Sequence, residues 1–337
     1  VVAQSGGMGF AFYDHGRPKE LPFNYIVTTG NEACLETLDV VDHLLDEGKT
    51  DVTVFSRNPS PGRLGGLAGR VNAVAGDVGN FSHVLDVVKA ARPEVIYHLG
   101  AMLSVPSDAD PASAIQTNAM GTFYVLEAAR LFDVRQVIFS SSIGSYGYDI
   151  EGGILTDTTL QRPLMFYGAT KAFGEHMGLV FKRKYGLDFR GIRYPSVIGP
   201  GVTTPGMVQY TSWMIEESAK GNPFTVWTTP ETRVPVMYIT EAATATVQLA
   251  QAPLENIKMI NYLVDGAKPT PTAGDIADAV RAKLPDAKID FVPDPTRPML
   301  HGRSQTIDDS CAREEWGWQP THDLPRMIDD FLASLSP

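Results

Sequence analysis

The sequence predicts an α/β fold, a doubly wound parallel sheet followed by a smaller C-terminal α/β domain. Three observations predict it. Short apolar runs alternate with helical patterns through the first two thirds of the chain. That alternation belongs to a parallel sheet covered on both faces, because each crossover must return over the sheet. After Pro195 the texture changes, and Gly, Pro and Thr accumulate over Ser196–Pro235 as they do in loops. The length of 337 residues also exceeds what one compact core usually takes and suits a large domain with a smaller partner.

The elements follow in order. Strands are predicted at Tyr25–Thr28, Val52–Phe55, Val71–Val74, Val95–Leu99, Gln136–Ser140 and Phe189–Arg193, where apolar residues run together. Helices are predicted at Leu35–Leu45, Phe81–Ala91, Ala112–Leu131 and Gly168–Tyr185. Right-handed crossovers between these strands give a Rossmann-like sheet. A helix at Tyr210–Ser218 interrupts the loop-rich stretch, and a strand–helix–strand unit follows over Val236–Val264. The tail reads as a helix (Ala273–Leu284), a strand (Ile289–Val292), a Pro-rich loop and a last helix (Leu324–Leu335). The division expected is an N-terminal extension (1–22), a large domain (23–195 with 234–265) and a small one (196–233 with 266–337).

Composition narrows the function. Hydrophobic residues make up 43% and charged residues 20%, the profile of a soluble globular enzyme. The formal charge of −11 argues against nucleic acid, whose phosphates need a basic face. Cys34 and Cys311 stand far apart, so neither a zinc site nor a disulfide framework is expected, and no metal site is predicted. No apolar run reaches the ~18 residues that span a bilayer. No basic segment followed by an apolar stretch opens the chain, so no signal peptide is read and the cytoplasm is the expected location.

The chemistry centres on Tyr167-Gly-Ala-Thr-Lys171. Tyr and Lys four apart at a helix start share one face. The ammonium favours the phenolate, so the tyrosine is suited to exchange a proton with a carbinol or carbonyl oxygen. Taken alone, the pair also fits an exposed aromatic beside a solvated lysine. Context favours the chemical reading. Phe139-Ser-Ser-Ser-Ile-Gly-Ser-Tyr-Gly147 ends a buried strand, and ligands of open parallel sheets bind beyond such carboxyl ends. Ser142 is placed to hydrogen-bond the reacting oxygen, or else to satisfy loop backbone groups.

Further landmarks follow the same order: Gly76-Asp77-Val78, His98-Leu-Gly-Ala101, Asn118-Ala-Met-Gly-Thr122, Leu126-Glu-Ala-Ala129 and Arg193-Tyr-Pro195. With the serine run and the Tyr–Lys pair, they make the chain resemble the extended short-chain dehydrogenases, the NAD-dependent epimerase/dehydratase family. The resemblance covers roughly Val52 to the C-terminus. It implies a Ser142–Tyr167–Lys171 triad. It also implies cofactor contacts from Asp77 and Val78 toward adenine and from Leu99, Gly100 and Ala101 near the phosphates and ribose. Asn118, Tyr194, Tyr167 and Lys171 complete the implied cofactor set. Thr232-Arg-Val-Pro-Val-Met-Tyr-Ile, Ala252-Pro-Leu-Glu-Asn-Ile-Lys258 and Ile307-Asp-Asp-Ser-Cys-Ala-Arg-Glu-Glu-Trp-Gly-Trp318 resemble the short-chain type of L-threonine 3-dehydrogenase. Ser104, Ser142, Ser196 and Arg233 are then the candidate substrate contacts, with a helix or turn cap as the plainer role of Ser104. Two departures stand out. Ser196 replaces the glycine that threonine dehydrogenases carry after Arg-Tyr-Pro, and Met207-Val-Gln209 replaces their Thr-Thr-Asp.

The first turn departs further. A pyrophosphate-binding turn needs glycines for close backbone approach, but Thr28-Thr-Gly-Asn-Glu-Ala-Cys-Leu-Glu36 keeps only Gly30, with Ala33 at the middle position. Glu32 adds negative charge where pyrophosphate would lie. Ala3-Gln-Ser-Gly-Gly-Met, Tyr13-Asp-His15 and Val27-Thr-Thr-Gly-Asn-Glu-Ala33 instead resemble the CoA-ligase domain of nucleoside-diphosphate-forming acyl-CoA synthetases. The match runs on through Leu44-Leu-Asp-Glu-Gly-Lys-Thr-Asp51. A hybrid chain accounts for both resemblances: Tyr25–Thr28 keeps the first strand position and Val1–Pro22 becomes an added strand or arm. The second strand ends Phe55-Ser-Arg57 without an acid. Arg57 would hold a 2′-phosphate or be a surface arginine, so the cofactor is NAD or NADP.

The expected function is hydride transfer between nicotinamide and a small secondary alcohol or ketone. A sugar-nucleotide epimerase or dehydratase is the alternative, and a hybrid with weak nucleotide binding the second. The resemblance also implies a homodimer through a four-helix bundle made by helices such as Ala112–Leu131 and Gly168–Tyr185.

Overall fold

The computed structural model describes residues 25–29, 37–46, 51–59, 65–67, 69–147, 150, 153–297 and 305–335. The arm at 1–22 and the turn with Gly30 and Ala33 lie outside the described residues. The strands in chain order are β1 (Tyr25–Thr29), β2 (Val52–Ser56), β3 (Asn72–Ala75), β4 (Val95–Leu99), β5 (Gln136–Ser142), β6 (Ile154–Leu155), β7 (Asp188–Tyr194), β8 (Ser196–Ile198), β9 (Phe224–Val226), β10 (Val236–Tyr238), β11 (Asn261–Leu263), β12 (Ile289–Phe291) and β13 (Thr306–Ile307). Seven form one parallel sheet in the order β11-β7-β5-β4-β1-β2-β3. β1 lies between β2 and β4, so Tyr25–Thr29 does hold the first strand position. The order reverses between β1 and β4, and a ligand crevice opens at the carboxyl ends of the two strands where such a reversal occurs.

The helices are α1 (Thr37–Asp46), α2 (Phe81–Ala91), α3 (Ser104–Ala109), α4 (Pro111–Ala114), α5 (Gly121–Leu131), α6 (Phe166–Tyr185), α7 (Tyr210–Ala219), α8 (Ile239–Gln251), α9 (Ala273–Lys283), α10 (Ser310–Trp316) and α11 (Leu324–Ser334). Side-chain alternation along the strands divides the core in two. On β5, Val137 and Phe139 pack with Leu126 of α5, Phe181 of α6 and Val84 of α2. Ile138 faces the other way, into the cluster with Val40 of α1 and Ala245 of α8. The helix on which the site depends is α6. Its glycines let it lie close on the sheet: a Cβ at Gly178 would come 2.2 Å from the Phe189 ring. It ends at Gly186, which takes φ 73° and returns its N–H to Lys182 O, after a last turn of Lys182, Arg183 and Lys184 that suits the negative end of the helix dipole.

The structure corrects several expectations. The single helix at Ala112–Leu131 is α4, a π-helical stretch (Ile115–Met120) and α5. The wider turn occurs where Asn118 commits its side chain to neighbouring elements, as π-bulges do near functional sites. The loop-rich stretch after Pro195 contains β8 and β9, which pair in parallel with β10 and β12 as separate two-stranded ribbons. The unit over Val236–Val264 is therefore split: β10 joins β8, and β11 closes the main sheet beside β7. The Pro-rich tail also holds β13 and α10.

Candidate active site

The site is assembled where β5 ends and α6 begins. A single 3-10 turn (Ile143–Ser145) follows Ser142, whose Oγ accepts the Gly144 N–H at 3.0 Å. Gly168, in the first turn of α6, rests on that turn: a Cβ there would stand 1.9 Å from Gly144 O. The close contact brings Tyr167 beside Ser142. The Tyr167 ring is buried against Ala101 and Leu103. One turn on, Lys171 is 2% exposed; its Nζ donates to Ser140 O at 2.5 Å and lies 5.6 Å from the Tyr167 ring centroid. The three residues of the expected triad are thus brought together.

The surroundings hold this group in place. Burial, aided by the Lys171 ammonium, pushes the His98 imidazole down to about 3, so the ring is neutral. Thr122 donates to Asn118 O at 2.6 Å, which leaves its oxygen to accept from His98 Nε2–H at 2.9 Å. Asn118 acts as a clamp. Its Oδ1 accepts Met102 N–H at 2.7 Å, and its Nδ2 donates to Met102 O and to Thr170 Oγ1, both at 3.1 Å. Those bonds tie the loop after β4 to α6. Behind Lys171, the buried Glu175 accepts from Ser141, from Gln161 Nε2 at 2.9 Å and from Arg193 Nη2 at 2.7 Å. Arg193 Nη1 donates to Tyr146 Oη at 2.7 Å and to Asp157 O at 2.9 Å.

A cavity of about 880 Å³, open mouth included, lies against Tyr167 and Ser142. Ser104, Ser196 and Arg233 also line it, so all four candidate substrate residues share one space. Their polar atoms are partly engaged. Ser104 is the first residue of α3 and accepts Met207 N–H at 2.9 Å, bonding across to the loop rather than capping its helix. Ser196 Oγ meets Thr211 Oγ1 at 3.0 Å. Arg233 Nη1 donates to Thr270 O at 2.7 Å. Trp227 Nε1 donates to Met207 O at 2.9 Å, so both backbone groups of Met207 are held.

The described residues fit a dinucleotide. The buried turn Leu99–Ala101 follows β4 at the β1–β4 reversal, and Tyr167 packs against Ala101. After β3 a Cβ on Gly76 would strike the Phe55 ring at 2.2 Å, so the chain there turns tightly against β2. There Asp77 Oδ1 accepts Gly79 N–H at 2.8 Å, and Val78 is buried against Gly121. Arg57, half-buried, follows β2 directly. Tyr194 is also among the expected cofactor residues. Its hydroxyl meets Thr246 Oγ1 of α8 at 2.6 Å, within the core on the opposite face from α6.

Sequence reasoning missed the supporting residues. Glu175 carried a usable signal, since it stands four residues after Lys171 and so shares its helix face. The bonds of the Met207 amide and of Asn118 reach partners distant in sequence, so the patterns that single out these residues do not show those contacts.

Comparison with known proteins agrees with this geometry. The sequence profile of the NAD dependent epimerase/dehydratase family matches residues 39–264. A second profile, that of the succinyl-CoA ligase like flavodoxin domain, matches residues 1–57. The mitochondrial L-threonine 3-dehydrogenase of Bos taurus is 31% identical over 261 residues, 76% of this chain and 68% of that protein. A GalE-like L-threonine dehydrogenase from Cupriavidus necator, in its holo form, superposes with a TM-score of 0.83 at 27% identity and covers 93% of this chain and 100% of its own. A partial consensus L-threonine 3-dehydrogenase gives the same TM-score at 26% identity, over 92% of this chain and 98% of its own. Among the described residues, no helix is long and apolar enough to cross a membrane.

Proposed function

This chain belongs to the NAD dependent epimerase/dehydratase family, and from that premise we propose that it oxidises a small secondary alcohol, or reduces the matching ketone, with NAD or NADP. The observation that carries the reading is Ser142 and Tyr167 side by side on one cavity wall, with the Lys171 ammonium buried behind them. The lysine charge favours the phenolate of Tyr167, which takes the proton of the substrate hydroxyl. Ser142 already accepts from Gly144 N–H, so its own proton is left to point at the substrate oxygen. Lys171 and Tyr167 would also hold the nicotinamide ribose. When bound, the nicotinamide supplies or accepts the hydride. The larger domain (23–195 and 234–265) would carry the nucleotide, and the smaller (196–233 and 266–337) would close over the substrate.

Fluorescence titration with NADH and NADPH tests the reading first; no saturable binding of either would rule it out. Arg57, beside the adenine end, favours NADPH, and Arg57→Ala is expected to weaken NADPH more than NADH. The family's epimerase chemistry would use the same three residues, and Arg233 on the cavity wall suits a substrate pyrophosphate. Interconversion of UDP-sugars without net nicotinamide turnover would identify that reaction.

The proposed assembly is a homodimer through α5 and α6. Phe166, Phe173 and Val180 recur every seven residues on α6 and are 40–47% exposed, with Ile115 at 47% close by in the chain of the partner helix. Sedimentation of wild type against Phe173→Glu with Val180→Glu measures it, and dimer is expected to give way to monomer.

A further inference from the structure

The cavity wall has a charge pattern that the triad does not explain. Arg233 is the one charged side chain among the described residues that line it, and no Asp or Glu joins them. Its guanidinium is anchored by the bond to Thr270 O, and its backbone bridges to Thr272. Several hydroxyls nearby are partly engaged by the protein. Ser104 accepts Met207 N–H, Ser196 meets Thr211, and Thr232 meets Thr228 and Thr229. Much of what remains is alkyl surface from Leu103, Ile143, Met165, Val197 and Val208.

Resting on the dehydrogenase reading, we propose that the substrate is a short hydroxycarboxylate, or its keto form, without an ammonium group and without a sugar. The carboxylate pairs with Arg233, the reacting oxygen meets Ser142 and Tyr167, and the carbon chain lies on the alkyl wall. A substrate ammonium would enter beside a guanidinium with no carboxylate among the described lining residues to balance it, and like charges repel more strongly in a partly desolvated site. A sugar would bring several hydroxyls to a wall that is largely alkyl, and unpaired buried hydroxyls are costly. In the oxidation, the carbinol C–H bond breaks and its hydride goes to the oxidised nicotinamide. The O–H proton goes to the Tyr167 phenolate, and the product is the ketocarboxylate.

3-Hydroxybutyrate and threonine make a minimal pair, since they differ only in the amino group. The methyl ester of 3-hydroxybutyrate removes the anion, and UDP-glucose represents the sugars. With reduced nicotinamide bound, none of these alcohols is oxidised, so calorimetry measures affinity alone. Straight-chain hydroxycarboxylates of three to six carbons are expected to bind roughly tenfold or more tightly than threonine, the ester or UDP-glucose, the scale of one unfavourable charge contact. The same order is expected in kcat/KM with oxidised nicotinamide. Arg233→Met should abolish the preference for acid over ester, and Arg233→Lys, which keeps the charge, should retain part of it. Reduced nicotinamide binding with threonine or UDP-glucose preferred would overturn the inference and leave the dehydrogenase reading standing. Failure of NADH and NADPH to bind at all would overturn both.

Discussion

The two walls of the cavity are held by different means. The Tyr167 wall is built from regular elements of the main sheet and its helices, and its polar groups are paired nearby. Lys171 meets Ser140, Asn118 clamps Met102 and Thr170, and Glu175 gathers Ser141, Gln161 and Arg193. The facing wall is made of loops around Met207 and Arg233. Bonds to Ser104, Trp227, Thr270 and Thr272 are among those that hold it, and one of them crosses from α3. A rigid wall suits proton transfer, where small displacements of the reacting atoms are costly. A loop wall can change its residues without disturbing that geometry. Of the departures from the threonine dehydrogenases, Met207-Val-Gln209 lies on the loop wall and Ser196 lines the cavity from β8, so the proposed chemistry and the proposed selectivity draw on different elements.

The largest effect should come from the rigid wall itself. Tyr167→Phe removes the proton-transfer group and is expected to cut kcat by about 10²–10⁴-fold, the usual contribution of general acid–base catalysis, while NADH affinity changes little. Comparable turnover in the variant would end the division between the walls. Next comes the support behind it. Glu175→Leu takes from the buried Arg193 the carboxylate it hydrogen-bonds, and removing one partner of a buried pair costs about 3–5 kcal/mol. Urea unfolding measures this, and a loss below about 1 kcal/mol would show that the rigid wall does not depend on the network.

Legibility in the sequence divides along the same line. The six strands read from apolar runs all form, because a strand covered on both faces must be apolar and needs no tertiary context to be recognised. Tyr167 and Lys171 were legible because a helix fixes which residues share a face. β8, β9 and β10 are three residues long, and which sheet each joins depends on partners far along the chain. Ser104 read as a possible cap, since its bond to Met207 closes over 103 positions. The motif at Asn118 shows where that residue stands and not how its side-chain hydrogen bonds are used. The first turn has a different obstacle. Thr28–Glu36 falls within the stretch 1–57 that matches the flavodoxin-domain profile and before the epimerase match begins at residue 39, so its pattern follows the other family.

The smallest effect probes the outer edge of the rigid wall, at Asp157. Burial pushes its carboxyl up to about 6 from 3.8, although the Leu263 amide, the Cys311 thiol and Arg193 pull it back. Because the folded pKa lies above the unfolded one, the folded state holds the proton more tightly. The contribution of this group to stability is therefore fully present below about pH 4 and is lost as pH rises through about 6. Asp157→Asn keeps an oxygen that can accept from Leu263 N–H, now 2.6 Å from Oδ1, and removes the titration. The variant should lose stability relative to wild type at pH 4 but recover on the order of 1–3 kcal/mol of that difference by pH 7. Urea unfolding at the two pH values checks this. A pH-independent difference would mean that the Asp157 charge is already balanced in the fold, which would extend the fully paired wall from Glu175 and Arg193 out to β11.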